Sequence, residues 1–269
     1  MADYPIRVVT FNVRCGTAND GTNAWPHRKD FAGAMLAGLS ADVIGLQECY
    51  DYQGRDVLAS LPGYAFVGAG REDGRDKGEM SAVLYRTDRL REVAHGHFWI
   101  SDTPHLPGSR AWETNCTRMA TWVALRPTST DGDTPASIFH VFNTHLDHRS
   151  APARENGARL IRARIEALGP AMPAILTGDF NARPGDPPYA ALVAGGLLRD
   201  AWRAAHPSPL PGGEGTFHAF DGTVNRERID WILTTPHWEV ADARIDRSSR
   251  AGRYPSDHFA VVADLRLRG

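Results

Sequence analysis

The chain has few cysteines and no long hydrophobic run, and each absence excludes a class of protein. The longest unbroken apolar run is Tyr189–Ala194, far shorter than the roughly 18 residues that a membrane helix needs. The N-terminus lacks a basic segment followed by an apolar one, so we expect no signal peptide. Cys15, Cys49 and Cys116 are too widely spaced for a disulfide framework or a CxxC metal site, which favours a reducing, cytoplasmic setting.

A strong charge of one sign is also missing. The 269 residues carry a formal net charge of −2, and their cationic side chains are mostly arginines with no Lys/Arg-rich run. Bulk charge therefore argues against a strongly basic nucleic-acid binder, although it leaves room for a local basic groove. The length and the ordinary globular composition predict one domain spanning residues 1–269.

Short β-rich runs outnumber the helical segments. Helical spacing of apolar residues occurs at Trp25–Leu39, Arg154–Leu168 and Tyr189–Ala194. The pattern predicts strands at Ile6–Phe11, Asp42–Gln47, Gly63–Val67, Ser81–Tyr85, Arg91–Trp99, Met119–Leu125, Ser137–Thr144, Ala174–Thr177, Ile229–Leu233 and Phe259–Leu265. This mixed order favours an α/β (α+β) sandwich of two packed sheets with helices outside. Thr128–Pro135 and Pro207–Gly215 are expected to be loops.

Polar side chains follow directly after several of these strands. One set comprises Asn12, Gln47-Glu48, Asn143 to His148, Asp179 to Asn181, Asp230 and Ser256-Asp257-His258. A single Asp or Asn at a strand end is usually a turn former. Because strand ends at one rim of a sheet converge, six such segments in one chain predict a shared site.

The residue types in this set suit metal-assisted hydrolysis. Carboxylate and amide oxygens from Glu48, Asp179, Asp257, Asn12 and Asn181 are donors that Mg²⁺ or Mn²⁺ prefers. His145 and His258 are too far apart in the sequence and too closely associated with carboxylates to indicate zinc. A carboxylate such as Asp230 can orient the imidazole of His258. The combination predicts hydrolysis at phosphorus.

The ordered motifs resemble those of the endonuclease/exonuclease/phosphatase superfamily. They are Thr-Phe-Asn12, Leu-Gln-Glu48, Asn-Thr-His145-Leu-Asp-His148, Gly-Asp179-Phe-Asn181, Arg-Ile-Asp230-Trp and Ser-Asp257-His258. The resemblance covers nearly the whole chain, and it implies a four-layer α/β sandwich of two mixed sheets with helices on the outer faces.

The resemblance also implies roles for the individual residues. Asn12 and Glu48 would hold the divalent metal, and Asp257 would lie at or near it. Asp179 would orient or deprotonate the attacking water. Asn181 would support the water and the phosphate, and His145 would contact the phosphoryl oxygens or stabilise the transition state. His258 would contact the scissile phosphate, and Asp230 would orient His258.

Weaker features suggest a bacterial branch near the deadenylase-like phosphoesterases: the segment Gly70–Glu79, Arg118 and Thr216-Phe217-His218. Some DNA-repair members carry an acidic residue where this chain has Arg14, which argues against a second metal and a repair role. Arg71 and Glu79 are expected to form a structural ion pair.

Three further residues are candidates for substrate binding. Arg149 and Arg154 are predicted to line the pocket and bind phosphate through paired hydrogen bonds, with a solvated helix start as the alternative. His148 is predicted at the rim.

The function that these motifs favour is a Mg²⁺- or Mn²⁺-dependent phosphoesterase with in-line water attack. The few arginines near the motifs favour a small phosphorylated molecule or a short single strand as substrate. The alternatives are a nuclease acting on DNA or RNA and a binding module that has lost catalysis. Specificity is expected to lie in Arg71–Glu79, Pro104–Thr117 and His206–Phe220. No membrane segment and no protein partner are indicated.

Overall fold

The structure is a computed structural model that describes residues 4–128, 138–208 and 213–268. Its strands are β1 (Tyr4–Asn12), β2 (Val43–Cys49), β3 (Tyr64–Val67), β4 (Met80–Arg86), β5 (Leu90–Trp99), β6 (Met119–Pro127), β7 (Phe139–His145), β8 (Ala174–Asp179), β9 (Arg199–Asp200), β10 (Asp230–Thr234), β11 (Trp238–Asp246) and β12 (Ala260–Leu267). The α-helices are α1 (Trp25–Leu39), α2 (Asp51–Ala59), α3 (Ala151–Glu166), α4 (Pro187–Val193) and α5 (Ala201–Ala205).

Two mixed six-stranded sheets form the centre of the fold. The first has the order β11-β12-β1-β2-β4-β3, and the second has the order β5-β6-β7-β8-β10-β9. Each sheet has one parallel pair at its middle, β1 with β2 and β7 with β8. The ends of these two parallel pairs carry the motif residues that follow Phe11, Leu46, Thr144 and Gly178.

Three apolar layers hold the sheets and helices together. Between the sheets, Val8, Val43 and Val83 from one sheet pack with Val141 and Ile175 from the other. A second cluster joins α1 to the outer face of the first sheet, and a third joins α3 and α4 to the second sheet. The expected α/β sandwich of two sheets with outer helices is confirmed.

The structure adds elements that the sequence pattern did not predict. Only Trp238 and Ala243 of strand β11 are buried, and the strand contains a register shift between Val240 and Asp242, so it lacks a clean apolar alternation. Helix α2 contains Gly54 and several polar residues. Helix α3 begins at Ala151, three residues before the predicted start, because the Ser150 hydroxyl caps the Ala153 amide and Pro152 suits the first turn.

Both predicted loops fall partly outside the described residues. Of Thr128–Pro135 only Thr128 is described, and residues 209–212 of Pro207–Gly215 are not. The predicted start of one strand at Ser137 also lies outside them. In the described part of the chain, no helix combines the length and the apolar character needed to cross a membrane.

Candidate active site

A cleft of about 440 Å³ opens where the two parallel strand pairs end. It is lined by Arg14, Cys15, Glu48, Arg71, Glu79, Asn115, Cys116, Arg118, His145, His148, Asp179, Asn181, Phe217, Ile229, Asp257 and His258. Strand register explains part of this convergence. Asp179 lies directly beside His145 of β7 and beside Asp230 of β10, so the three side chains leave the same face of the second sheet.

Asn12 connects the two sheets at the floor of the cleft. Its buried amide nitrogen donates to Oε1 of Glu48 at 3.0 Å and to Oδ2 of Asp179 at 2.9 Å. Its Oδ1 accepts from the Arg14 backbone amide at 2.9 Å. Asn12 therefore fixes the separation of two carboxylates that come from different sheets.

Glu48 is presented by an irregular strand end. The register of β2 shifts between Leu46 and Cys49, and Glu48 has a left-handed backbone with a φ of 56°. Its Oε2 accepts from the Cys15 amide at 2.8 Å. Burial raises the pKa of this carboxyl, but the hydrogen bonds from Asn12 and Cys15 outweigh burial and lower the pKa. Glu48 is therefore ionised at neutral pH.

Asp179 is the most enclosed carboxylate of the cleft. Its Oδ1 accepts from the Asn181 amide at 2.9 Å, and Asn181 has a left-handed backbone with a φ of 48°. Burial and the neighbouring charge of Asp230 raise the pKa of Asp179. The result is a fixed carboxylate whose proton affinity exceeds that of an ordinary aspartate.

His258 is paired with a carboxylate on its inner side. Its Nδ1 donates to Oδ2 of Asp230 at 2.9 Å, and its Nε2 lies 3.8 Å from Oδ2 of Asp179. Burial lowers the pKa of the imidazole, but Asp230, Asp179 and Asp257 outweigh burial and raise the pKa. His258 is thus an imidazolium that directs Nε2–H toward the cleft.

His145 has the opposite protonation state. Burial, together with the charges of Arg118 and Arg71, lowers its pKa well below the ordinary value. Its Nε2 accepts from the Asn181 side-chain amide at 3.0 Å, and that amide also donates to the Leu146 carbonyl at 3.0 Å. The neutral ring therefore holds Asn181 in place, and Nδ1 is buried without a hydrogen-bond partner among the described residues.

The carboxylates fit a hard divalent cation. One oxygen each from Glu48 and Asp179 and a ring nitrogen of His145 lie within 4.8 Å of one another. Burial and the charge of Glu48 help to raise the pKa of Asp257, whereas the nearby charges of His258 and Arg14 oppose this. Several carboxylates close together in a buried site favour a bound cation, and their oxygens suit Mg²⁺ or Mn²⁺.

A second group of charges lines the wall beyond these carboxylates. Arg71 lies 2.5 Å from Glu79, which forms the expected ion pair, and Arg118 lies 3.9 Å from the same carboxylate. The Arg118 guanidinium also donates to Nδ1 of His148 at 3.1 Å. Two arginines share one glutamate, so this wall carries a net positive charge.

Two of the predicted phosphate-binding residues lie elsewhere. Arg154 donates to the Asp147 carbonyl at 3.0 Å and lines a separate depression beside Asp186. Arg149 is exposed, and it is not among the described residues that line the cleft. His148 does line the cleft, as predicted at the rim, and helix α3 begins three residues later at Ala151.

The cleft also contains residues that were not predicted to contact substrate, among them Asn115, Cys116, Arg118 and Phe217. Asn115, Cys116 and Phe217 lie in the predicted specificity loops, and Arg118 and Phe217 also belong to the weaker motifs of the sequence analysis. Phe217 reaches the cleft through an isolated bridge to His258 and a ring contact of 5.1 Å between centroids. Arg118 directly precedes β6.

The profile of the endonuclease/exonuclease/phosphatase family matches residues 9–258, which is most of the chain. The chain belongs to the endonuclease/exonuclease/phosphatase family. This confirms the resemblance carried by the six motifs. Members of this family are hydrolases that act on phosphoesters.

Solved structures show the same architecture throughout. A family protein from Bacteroides thetaiotaomicron is 33% identical with a TM-score of 0.91, and the match covers 100% of both chains. A mannosyl-6-phosphatase from B. thetaiotaomicron VPI-5482 is 34% identical with a TM-score of 0.87, and the match covers 97% of this chain and 99% of that one. The Drosophila melanogaster protein Nocturnin is 25% identical over 97% of this chain, which spans only 47% of Nocturnin's length.

Proposed function

We propose that this protein is a divalent-metal-dependent phosphoesterase that releases phosphate from a small phosphorylated molecule, with a phosphorylated sugar as the substrate class. The main observation that supports this reaction is that a carboxylate and an imidazolium lie close together in one cleft. Asp179 is a carboxylate of raised pKa, and His258 is an imidazolium 3.8 Å from it. These are a proton acceptor and a hydrogen-bond donor placed side by side.

The chain's own groups divide the reaction between them. Asp179 is oriented by Asn12 and by the Asn181 amide, so its free lone pairs accept a hydrogen bond from the attacking water and then its proton. The Nε2–H of His258 donates to a phosphoryl oxygen, where negative charge develops in the transition state. Asp230 keeps this imidazole protonated and correctly turned.

Glu48 and Asp257 would hold the cation, with Asn12 spacing Glu48 from Asp179. A bound Mg²⁺ or Mn²⁺ supplies Lewis-acid stabilisation of phosphoryl oxygen charge. Arg14 lies 3.7 Å from Oδ2 of Asp257 and hydrogen-bonds Asp20 at 2.9 Å. An arginine at this position competes with a second cation, which supports a single metal ion.

The substrate proposal is supported by the size and charge of the cleft. A volume of about 440 Å³ is in the range of pockets for single small molecules. The wall formed by Arg71, Arg118 and Glu79 suits the second negative charge of a phosphate monoester. The similarity to a mannosyl-6-phosphatase along 97% of this chain supports a sugar leaving group.

Two further inferences accompany this proposal. We infer one domain for residues 1–269, since the apolar layer between the sheets draws on strands from both halves of the chain. We also propose a reducing, cytoplasmic setting, which is supported by the three free thiols Cys15, Cys49 and Cys116.

The test is a substrate panel assayed with Mn²⁺. It contains hexose 6-phosphates, nucleotides, bis(p-nitrophenyl) phosphate and a short single-stranded DNA, with Asp179→Asn as the inactive control. We expect phosphate release from sugar monoesters to exceed diester hydrolysis. Cleavage of the DNA strand with no monoester turnover would favour a nuclease, and no turnover of any phosphate ester would favour a binding module.

A further inference from the structure

One wall of the cleft is a loop in an unusual backbone conformation. We define the cleft loop as residues 110–117. Trp112 and Glu113 are consecutive and both left-handed, with φ values of 55° and 59°. Residues other than glycine rarely adopt this region, and two in succession occur only where the surroundings enforce them. Strain of this kind concentrates at ligand-binding and catalytic sites.

Asp147 and Arg110 enforce this conformation from two sides. Oδ2 of Asp147 accepts from the Asn115 amide at 2.8 Å. The Thr114 hydroxyl lies 2.8 Å from both Oδ2 of Asp147 and the Cys116 carbonyl, so its single proton is shared between them. Arg110 donates to the carbonyls of Thr114 at 2.6 Å and of Asn115 at 2.7 Å. The Ser150 hydroxyl donates to the Trp112 carbonyl at 2.8 Å. The backbone N–H and C=O of Asn115 are therefore both fixed.

The surroundings of the Asn115 side chain differ from those of its backbone. The side chain is exposed and lines the cleft beside Cys116 and Arg118. Within the described residues, its side-chain amide forms no hydrogen bond. A tightly held backbone thus carries an exposed side-chain amide at the wall of the cleft.

We propose that Asn115 is a specificity-determining residue that hydrogen-bonds hydroxyl groups of the sugar leaving group, and that Asp147 is the positioning residue that aims it. This inference rests on the proposed function. A side-chain amide offers one acceptor and two N–H donors without net charge. That chemistry matches neighbouring hydroxyls, whereas the arginines of the same wall match phosphate oxygens.

An alternative role for the same residues is a metal site, since ligand atoms of Cys116, Asp147 and His148 lie within 4.8 Å of one another. Asp147 is already engaged by the backbone, however. Its Oδ1 accepts from the amides of Arg149 at 2.8 Å and Ser150 at 2.7 Å, and its Oδ2 accepts from the Asn115 amide at 2.8 Å. A carboxylate held by three backbone amides, with the Thr114 hydroxyl also 2.8 Å away, is occupied in supporting the loop.

The first test compares two substrates with different leaving groups. We expect Asn115→Ala to lower kcat/KM for the best hexose phosphate about 5–30-fold, mainly through KM, because up to two hydrogen bonds are lost. The same variant should leave kcat/KM for p-nitrophenyl phosphate within about twofold, since that leaving group has no sugar hydroxyls. Asn156→Ala on α3 is the matched control and should change neither value.

The second test examines the positioning role of Asp147 with the variant Thr114→Val. This substitution removes the hydroxyl that lies 2.8 Å from Oδ2 of Asp147 and keeps the side-chain size. It should reproduce the selective loss on the sugar phosphate, with a melting temperature that shows a folded protein. Equal losses on both substrates, or no loss in Asn115→Ala, would overturn the inference while leaving sugar-phosphate hydrolysis itself intact. Absence of hexose phosphate turnover in the wild type, with turnover of another ester, would instead overturn the proposed substrate and this inference with it.

Discussion

Oδ2 of Asp230 lies 2.9 Å from Nδ1 of His258, and both side chains are buried. The pair joins the first residue of β10 to a residue two positions before β12, so it links the two sheets. Burial lowers the pKa of the His258 imidazole, whereas the neighbouring carboxylates raise it. Asp230 has the largest effect among these carboxylates.

Replacing Asp230 with Asn should lower kcat about 10²–10³-fold with little change in KM, because His258 loses the charge that keeps it protonated. Steady-state kinetics on the best substrate checks this. Asp88→Asn, at an exposed aspartate that is not among the described residues lining the cleft, is the control. The double variant Asp230→Asn/His258→Ala should be no slower than His258→Ala alone. Additive losses would show that Asp230 acts independently of His258.

Removal of divalent metal should abolish activity, and Mg²⁺ or Mn²⁺ should restore it, because Glu48 and Asp257 supply hard oxygen ligands. A second readout does not depend on turnover. Added Mn²⁺ should raise the melting temperature of the wild type and should raise that of Glu48→Gln much less. Full activity after dialysis against EDTA would rule out the metal requirement.

Stability should depend on a buried ion pair away from the chemistry. Arg228 donates to Oδ2 of Asp200 at 2.6 Å, with side chains only 2% and 1% exposed. Asp200 also accepts from the Trp202 amide at 2.9 Å and from the Tyr189 hydroxyl at 3.1 Å. Asp200→Ala should lower the free energy of unfolding by about 3 kcal/mol, since it leaves the buried guanidinium with only the longer contact to Glu214 at 3.7 Å.

Urea denaturation monitored by circular dichroism measures that change. Asp88→Ala removes the ion-pair partner of Arg86. The side chains of this pair are 31% exposed for Arg86 and 61% exposed for Asp88. This matched variant should leave the unfolding midpoint unchanged, because exposed pairs contribute little. Equal losses in both variants would contradict the distinction between buried and exposed pairs.

Folding stability should also decrease in mild acid. Burial and then the charge of His95 lower the pKa of His97 to about 4. The unfolded chain takes up this proton from about pH 6.5 downward, whereas the folded protein does not. Stability is therefore lost as the pH falls from 6.5 toward 4, by about 1 kcal/mol at pH 5 from this residue after allowance for solvent screening.

His97→Gln isolates that contribution. Glutamine does not titrate and can keep a hydrogen bond to the Thr121 hydroxyl, which lies 3.0 Å from Nδ1 of His97. The difference in unfolding free energy between pH 7 and pH 5 should be smaller in the variant than in the wild type. An identical pH dependence in both proteins would contradict the lowered pKa.

The residues at the strand ends were predictable, because strand ends at one rim converge whatever the loops do. Glu48, Asp179 and His258 line the cleft together for that reason, and Asn12 hydrogen-bonds the first two. The orientation of His145 was not predictable, since it depends on a hydrogen bond to Asn181 and on the charges of nearby arginines.

The cleft wall could not be predicted from local sequence. Asn115 reaches the cleft because Asp147, 32 residues further along the chain, binds its backbone. Arg149 and Arg154 are close in sequence to His148, but neither is among the described residues that line the cleft, and Arg154 instead donates to the Asp147 carbonyl. We predicted that these two arginines contact phosphate because they are near His148 in the sequence. Contact with the cleft depends instead on the three-dimensional fold.

The central claim is that the cleft hydrolyses a small phosphate ester rather than a nucleic-acid polymer. The most direct measurement is kcat/KM with Mn²⁺ at about 50 and 200 mM salt, on a hexose 6-phosphate and on plasmid DNA. A polymer substrate requires many phosphate contacts and loses affinity steeply with salt. We predict efficient, weakly salt-dependent release of phosphate from the sugar and negligible plasmid cleavage. Efficient plasmid cleavage with a steep salt dependence and no sugar phosphate turnover would contradict the account.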